Sequence, residues 1–201
     1  MEDLLKSGFI ELPDASLMFE PGFLAPRQAD RLFAVLQEKI PWRQDEIRVF
    51  GKTYLQPRLT ALYGNNGSSY SYSGITMEPE PFLPELRSLK GMVEKYSGHV
   101  YTTCLLNLYR DGNDSNGWHA DDEKELGPSP VIASVSLGDT RTFHLKHRSH
   151  KALRYRMRLE HGSLLVMGGP MQHHWLHQIP KTRQSVGPRI NLTFRNIGQT
   201  G

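Results

Sequence analysis

The chain has 201 residues, of which 38% are hydrophobic and 22% charged, and its formal net charge is +3. This size is typical of one globular domain with a core of its own, and no apolar run approaches the length of a membrane span. The N-terminal residues are too acidic and too polar for a secretory signal. The single cysteine, Cys104, cannot form an internal disulfide, so we expect a reducing compartment.

Two amphipathic helices are predicted in the first half of the chain. The first runs from about Pro26 to Ile40, because proline is favoured in the first helical turn and apolar residues follow at helical spacing. The second runs from about Pro84 to Tyr96, and Gly98 provides the residue type that commonly ends a helix.

Short alternating segments follow Gly98, separated by Gly, Pro, Asp and Asn. The candidate strands are Val100–Tyr109, Val131–Leu137, Thr142–Leu145, Leu153–Glu160, Ser163–Met167 and Arg189–Arg195. Several short strands with turn signals between them predict an antiparallel sandwich or barrel. A jelly roll fits this pattern, because it opens at one end into a site.

Two of these strands have a polar face. Strand 189–195 alternates Arg189, Asn191, Thr193 and Arg195 with apolar residues, and Asn107 and Tyr109 share one face of strand 100–109. A strand facing solvent would show the same alternation, and the lining of a wet pocket is the second interpretation. Arg189 and Arg195 would lie roughly 20 Å apart at about 3.3 Å per residue. They could approach a short dicarboxylate from opposite ends, but they could not grip one carboxylate together.

A metal site is indicated by His119 and Asp121, which would point the same way on an extended segment. The H-x-D spacing alone is common by chance, and the third ligand must come from a later histidine. The candidates are His144, His147, His150, His161, His173, His174 and His177. Two imidazoles and one carboxylate suit Fe(II) with open coordination positions, and a later arginine could bind the far carboxylate of a keto acid. A catalytic zinc is the competing interpretation, but zinc hydrolysis leaves the polar strand faces without a role.

Charge is unevenly distributed along the chain. Residues 141–158 contain seven Lys/Arg and three His without an acid, whereas residues 111–125 contain six acids. The basic segment indicates a polyanionic partner such as nucleic acid, or else the solvated tip of a hairpin.

Taken in order, these motifs resemble the AlkB family of Fe(II)/2-oxoglutarate-dependent dioxygenases, and most of all its branch that repairs alkylated DNA. The matching motifs are Asn107–Tyr109, Trp118–Glu123, His161–Leu165, His174–His177 and Arg189–Arg195, with Val49–Lys52, Gln56–Arg58, Tyr63–Gly64 and Tyr70–Gly74 upstream. The resemblance implies an α+β fold with a double-stranded β-helix (jelly-roll) core, N-terminal helices packed on one sheet, and a nucleotide-recognition lid. Residues 1–98 would hold the helices and the lid, and residues 99–201 the catalytic core of the same integrated domain.

The resemblance also implies three sets of site residues. Iron would be bound by His119, Asp121 and His177. The co-substrate 2-oxoglutarate would be held by Asn107, Tyr109, Arg189, Asn191 and Arg195, with Arg189 on its distal carboxylate. The nucleic-acid substrate would contact Phe50, Arg58, Tyr70, Tyr72, Ser73, Asp122 and Glu123. A flipped base would stack between Tyr70 and His119, and Asp122 would face its exocyclic amino group.

The implied activity is oxidative demethylation of N-alkylated bases of the 1-methyladenine and 3-methylcytosine type. The reaction would use Fe(II), 2-oxoglutarate and O2 and release formaldehyde, succinate and CO2. The implied partner is alkylated DNA, with RNA left open. A base methylated on its pairing edge pairs badly and is therefore easily extruded.

We also expect a monomer without membrane association. It would be cytoplasmic and associated with the nucleoid if the protein is bacterial, and nuclear if it is eukaryotic. Two alternatives remain: a 2-oxoglutarate-dependent hydroxylase of a protein or small molecule, and a cupin-like module that binds nucleic acid without turnover.

Overall fold

The computed structural model describes residues 1–4, 7–49, 51–65, 70–72 and 75–198. Its helices are α1 (Pro26–Lys39), α2 (Pro84–Ser97) and the single turn α3 (Met171–His174), with a 3-10 turn at Lys124–Leu126. Both longer helices begin at proline, as predicted. Helix α2 ends at Gly98, whose φ of 74° is left-handed and costs glycine little. No helix within the described ranges is long and apolar enough to cross a membrane.

The strands divide into two groups along the chain. Those of the first half are β1 (Glu2–Asp3), β2 (Gly8–Leu12), β3 (Ala15–Glu20), β4 (Glu46–Val49), β5 (Lys52–Leu55), β6 (Leu59–Gly64), β7 (Tyr70–Tyr72), β8 (Ile75–Met77) and β9 (Glu80–Pro81). Those of the second half are β10 (Thr103–Tyr109), β11 (Asn116–His119), β12 (Ile132–Gly138), β13 (Arg141–His147), β14 (Arg154–Leu159), β15 (Leu164–Gly168), β16 (Trp175–Ile179) and β17 (Arg189–Arg195).

Most of these strands form two sheets that share a core. The larger sheet has the order β2-β3-β15-β12-β17-β10-β6-β9, and the smaller has the order β1-β14-β13-β16-β11. Side chains of both sheets join in one buried cluster, including Leu105 and Leu165 from the larger sheet and Leu145 and Trp175 from the smaller. This arrangement confirms the predicted α+β class and jelly-roll core.

Helices α1 and α2 cover the other face of the larger sheet, which confirms the predicted packing. Leu36 of α1 and Leu89 of α2 share a second buried cluster with Ile190 and Leu192 of β17. Strand β17 is therefore covered on both sides, and its polar face lies inside the protein. The wet-pocket interpretation of this face is right, and the solvent-facing one is wrong.

Several strands were not predicted. From the first half of the chain, β2 and β3 extend one end of the larger sheet, and β6 pairs with β10 near the other. In the second half, β11 and β16 have only four and five residues, too few for a clear alternation. Predicted strand starts also differ: β10 begins at Thr103 rather than Val100, which is 67% exposed.

Two hairpins, β4–β5 and β7–β8, form small sheets of their own. They lie within residues 1–98, where the N-terminal helices and the nucleotide-recognition lid were predicted. Phe50 and Ser73 lie outside the described residues, and the role of the hairpins as a lid stays a prediction.

Candidate active site

Strands β11 and β16 bring two histidines together at the edge of the smaller sheet. Their antiparallel register places His119 opposite His177, with ring centroids 4.2 Å apart. Asp121 follows two residues after His119. One ligand atom from each of the three residues lies within 4.8 Å of the other two. The three side chains therefore converge on a space where a single ion could bind.

Both imidazoles are neutral in this setting. Nδ1 of His119 lies 2.7 Å from the carbonyl oxygen of Gly117 and donates its proton there, so Nε2 has the lone pair that a metal would accept. Burial lowers the pKa of His177 to about 3, and the neighbouring His119 adds to this effect. Burial also lowers the pKa of His119. Neutral imidazole is the form that ligates metals.

Asp121 supplies the negative charge. Its side chain is almost fully buried, and Oδ1 accepts a 2.6 Å hydrogen bond from Nη2 of Arg195. Burial, the largest single influence, would raise its pKa, but the charge of Arg195, the two neighbouring histidines and the hydrogen bond from Arg195 together outweigh burial and lower the pKa to about 2. Its backbone N–H donates to Oε1 of Gln172 in α3 at 3.0 Å, which fixes the chain at this residue.

This donor set fits mononuclear Fe(II). Two neutral imidazoles and one carboxylate on one side of an ion leave the remaining coordination positions open for a co-substrate and oxygen. The carboxylate is already oriented, because Arg195 binds Oδ1 while Oδ2 lies 3.8 Å from Nε2 of His177.

A cavity between the sheets continues from these three residues. Beyond those three residues, its polar lining comes from β10, β12 and β17 of the larger sheet and from Asn116 and Gln178 of the smaller sheet, and its apolar lining includes Phe143, Leu159 and Met167. All the residues that were assigned to 2-oxoglutarate line it: Asn107, Tyr109, Arg189, Asn191 and Arg195. The metal and co-substrate sets therefore share one space.

Arg189 is the most unusual group in this cavity. Its side chain is almost fully buried, and its Nη2 donates to Oγ of Ser136 at 2.8 Å. Nε and Nη1 have no hydrogen-bond partner among the described residues. Burial lowers its pKa to about 10; the adjacent Tyr109 side chain opposes this shift and the charge of Arg141 adds to it, so the guanidinium is still protonated at neutral pH. A buried, partly unpaired cation is costly, and an anionic ligand would remove that cost.

Two amides that line the cavity are held by neighbours to which the sequence analysis gave no such role. Nε of Arg58 donates to Oδ1 of Asn107 at 2.8 Å, and Nδ2 of Asn191 donates to Oγ of Ser134 at 2.7 Å. Ser134 and Ser136 alternate with apolar residues in β12, and this alternation could have identified them as a second polar strand face. Gln172 had no such signal, because only the fold brings α3 beside Asp121.

The residues assigned to the nucleic-acid substrate lie in several places. Asp122 is exposed and forms a 2.7 Å ion pair with Arg148, whereas Arg58 is buried beside the co-substrate cavity. Oε2 of Glu123 is buried. Tyr70 and Tyr72 lie on β7. Contacts of these residues with a base stay predictions, as do those of Phe50 and Ser73 outside the described ranges.

Comparisons with known proteins agree with this site. A model of the 2OG-Fe(II) oxygenase superfamily matches residues 16–195. The chain is 44% identical over 186 residues to human "Alpha-ketoglutarate-dependent dioxygenase alkB homolog 3", covering 88% of this chain and 64% of that protein. It is 38% identical over 180 residues to mouse "DNA oxidative demethylase ALKBH2", covering 85% of this chain and 75% of that protein. The chain thus spans about 64% of the length of the alkB homolog 3 relative.

Solved structures show the same fold. The structure of OsALKBH1 matches with a TM-score of 0.65 at 18% identity, covering 94% of this chain and 99% of that chain. A 2OG-Fe(II) oxygenase family oxidoreductase from Burkholderia pseudomallei matches with a TM-score of 0.59 at 14% identity, covering 89% of this chain and 84% of that one.

Proposed function

Because the chain belongs to the 2OG-Fe(II) oxygenase superfamily, and within it to the AlkB family, we propose that it demethylates N-alkylated bases in nucleic acid by an Fe(II)- and 2-oxoglutarate-dependent reaction. Bases of the 1-methyladenine and 3-methylcytosine type in DNA are the proposed substrates, with RNA as the open alternative. One observation carries the proposal. A buried arginine with two unpaired nitrogens, Arg189, lies in the same cavity as a complete set of iron ligands.

His119, Asp121 and His177 would hold the iron. When bound with 2-oxoglutarate and oxygen, the iron supplies the oxidising chemistry that hydroxylates the methyl group, which then leaves as formaldehyde. The protein chain orients the side chains that would bind the iron. Arg195 keeps Asp121 ionised and oriented, and the hydrogen bond to Gly117 keeps His119 in the tautomer that can bind metal.

The far carboxylate of 2-oxoglutarate would pair with Arg189. Charge-assisted, bidentate contacts of this kind are strong and directional. Arg58 occupies Oδ1 of Asn107, which leaves the amide N–H groups of Asn107 as the part that can donate to a ligand in the cavity. The cavity would therefore select a compact dicarboxylate, because Arg189 would bind one of its ends and the metal the other.

Selection of a methylated base would depend on the residues after Asp121. Bases alkylated on the pairing edge carry a positive charge, and the Asp122 carboxylate would favour them over neutral bases. In the structure Asp122 is paired with Arg148, so a cationic base would compete with that exposed ion pair, which is weak. Tyr70 would stack on the extruded base.

The experiment is an assay of succinate and formaldehyde with a methylated oligonucleotide, iron and 2-oxoglutarate. Asp121→Ala should abolish both products, because the metal would lose its only carboxylate ligand. Asp30→Ala, at an exposed position of α1, is the matched control and should behave like the wild type. Retained succinate in Asp121→Ala would remove this residue from the ligand set. Succinate without formaldehyde from any methylated oligonucleotide would favour the protein or small-molecule hydroxylase instead.

A further inference from the structure

The outward face of strands β13 and β14 has a basic surface that the active site does not use. The inward side chains of these strands, such as Phe143 and Met157, belong to the core between the sheets. The outward ones alternate with them and are Thr142, His144 and Lys146 on β13 and Arg154, Arg156 and Arg158 on β14. We call these six residues and Trp118 the basic face. All three arginines are exposed.

The pairing register places two cations opposite one another. Lys146 is directly opposite Arg154. Like charges directly opposite each other destabilise an antiparallel pair. An anion bound across the two strands would remove that repulsion.

Acidic neighbours neutralise only part of this charge. Within the ranges that the structure describes, the ion pairs on the basic face join Arg156 to Asp3 and, at 3.8 Å, Arg158 to Glu160. Neither involves Lys146 or Arg154. Lys146 and Arg154 therefore form a cationic centre across the two strands that can still bind an anion.

An aromatic ring fixes one of the cations. Nζ of Lys146 lies 4.3 Å from the ring centroid of Trp118, within the range of a cation–π contact. The His144 ring is 6.4 Å from the same indole. Burial and the charge of Arg156 both lower the pKa of His144, which agrees with a positive potential here. A positively charged surface that follows the backbone is a common feature of proteins that bind single-stranded nucleic acid.

One end of the basic face lies at the active site. Arg148 follows Lys146 by two residues, and its Nη2 binds Asp122, the residue after Asp121. Trp118 precedes His119. From there the outward cations continue with Lys146 on β13 and with Arg154, Arg156 and Arg158 on β14, the last three at a repeat of about 6.6 Å, twice the rise per residue of a strand.

We propose that the basic face binds the phosphate backbone of a single-stranded nucleic acid that flanks the base in the active site. The position of the flanking strand rests on the proposed function, but binding to the face does not require turnover. An acidic protein fits less well, because protein interfaces depend on buried apolar anchors. In the described part of this face, the large aromatic side chain is already covered by Lys146.

The test is the salt dependence of binding to a fluorescently labelled, unmethylated single-stranded DNA, measured by anisotropy without iron or 2-oxoglutarate. The variant combines Lys146→Gln, Arg154→Gln and Arg158→Gln. Each phosphate contact on a single strand contributes about 0.7 to the slope of log affinity against log salt, so the slope should fall by about 2. Affinity at low salt should fall with it.

The matched control combines Arg27→Gln, Arg31→Gln and Lys95→Gln. These exposed cations lie on α1 and α2, over the larger sheet, and their replacement changes the net charge equally. The control should keep the wild-type slope. Equal slopes in the two triple variants would overturn the proposal, provided that thermal melts show both folded.

A competitor separates the two classes of polyanion. Unlabelled single-stranded DNA should displace the probe, and polyglutamate at the same charge concentration should not. Equal displacement by polyglutamate would contradict a nucleic-acid surface. If the protein binds DNA as expected but forms no formaldehyde, the proposed function is wrong and the nucleic-acid-binding role of the basic face still holds. Failure of one proposal can therefore be distinguished from failure of the other.

Discussion

Arg195 binds one oxygen of the Asp121 carboxylate, and the other oxygen lies on the side of His177. Nη2 of Arg195 binds Oδ1 at 2.6 Å, while Oδ2 remains 3.8 Å from Nε2 of His177. Both side chains are buried, so water does not weaken the pair. The arginine therefore determines which oxygen faces the metal position, although it is not itself a ligand.

Replacing Arg195 with Met should weaken metal binding roughly 10- to 100-fold, the usual effect of losing a group that orients a ligand. Titration with Mn²⁺ or Co²⁺ under anaerobic conditions measures this directly. Arg31→Met, at an exposed position of α1, should bind these ions as the wild type does. Equal affinities in Arg195→Met and the wild type would show that Asp121 needs no orienting partner.

Replacing Arg189 with Met should raise the KM for 2-oxoglutarate roughly 10- to 150-fold, because a hydrogen-bonded charge contact contributes about 1.5–3 kcal/mol. In the absence of 2-oxoglutarate, the variant should be as stable as the wild type or more so, since a buried, partly unpaired cation is removed. Thermal melts with and without 2-oxoglutarate test both statements. Arg87→Met on the exposed side of α2 is the control. An unchanged KM in Arg189→Met would exclude it from the co-substrate site.

Asn107 offers a test of which part of its amide faces the cavity. Asn107→Asp keeps an acceptor for Arg58 but puts a carboxylate where the N–H groups were, and this would repel an anionic co-substrate. Asn107→Ala removes the donor without adding charge. We therefore expect a higher KM for 2-oxoglutarate in Asn107→Asp than in Asn107→Ala, from steady-state kinetics. The opposite order would mean that Asn107 does not donate to the co-substrate.

Much of this site could be predicted from the sequence, and the exceptions have physical causes. The alternation of Arg189, Asn191 and Arg195 with apolar residues predicted their common face, because a strand places every second side chain on one side. Burial of that face required α1 and α2 to cover the sheet, which local alternation cannot show. Spacing also left seven histidines open as the third ligand, and only the register of β11 with β16 brings His177 to His119.

Stability in acid should depend on Asp114, in the turn between β10 and β11. Burial would raise its pKa, but hydrogen bonds from the side chain and backbone of Arg110 outweigh burial and lower it. A carboxyl group whose pKa is lowered on folding contributes stability above its unfolded value of about 3.9, and this is lost as the pH falls through the folded value.

Asp114→Asn should therefore lower the urea midpoint at neutral pH and reduce the difference between neutral pH and pH values below about 4. Asp139→Asn, an exposed site, is the comparison. A variant with the full wild-type acid dependence would show that Asp114 does not contribute to it.

Tyr70→Ala should weaken use of a methylated oligonucleotide roughly 5- to 150-fold, since base–aromatic stacking contributes about 1–3 kcal/mol. Turnover of 2-oxoglutarate without nucleic acid should change much less. Parallel assays of formaldehyde and succinate measure the two effects, with Tyr96→Ala on α2 as the control. Equal losses in both assays would assign Tyr70 a structural role.

The proposed demethylation can be observed by mass spectrometry of a single-stranded oligonucleotide with one 1-methyladenine, incubated with the wild-type protein, Fe(II) and 2-oxoglutarate in air. We expect loss of the methyl group from the base, with formaldehyde and succinate formed in equal amounts, and no loss when 2-oxoglutarate is omitted. An oligonucleotide that keeps its methyl group while succinate accumulates would contradict the proposed demethylation.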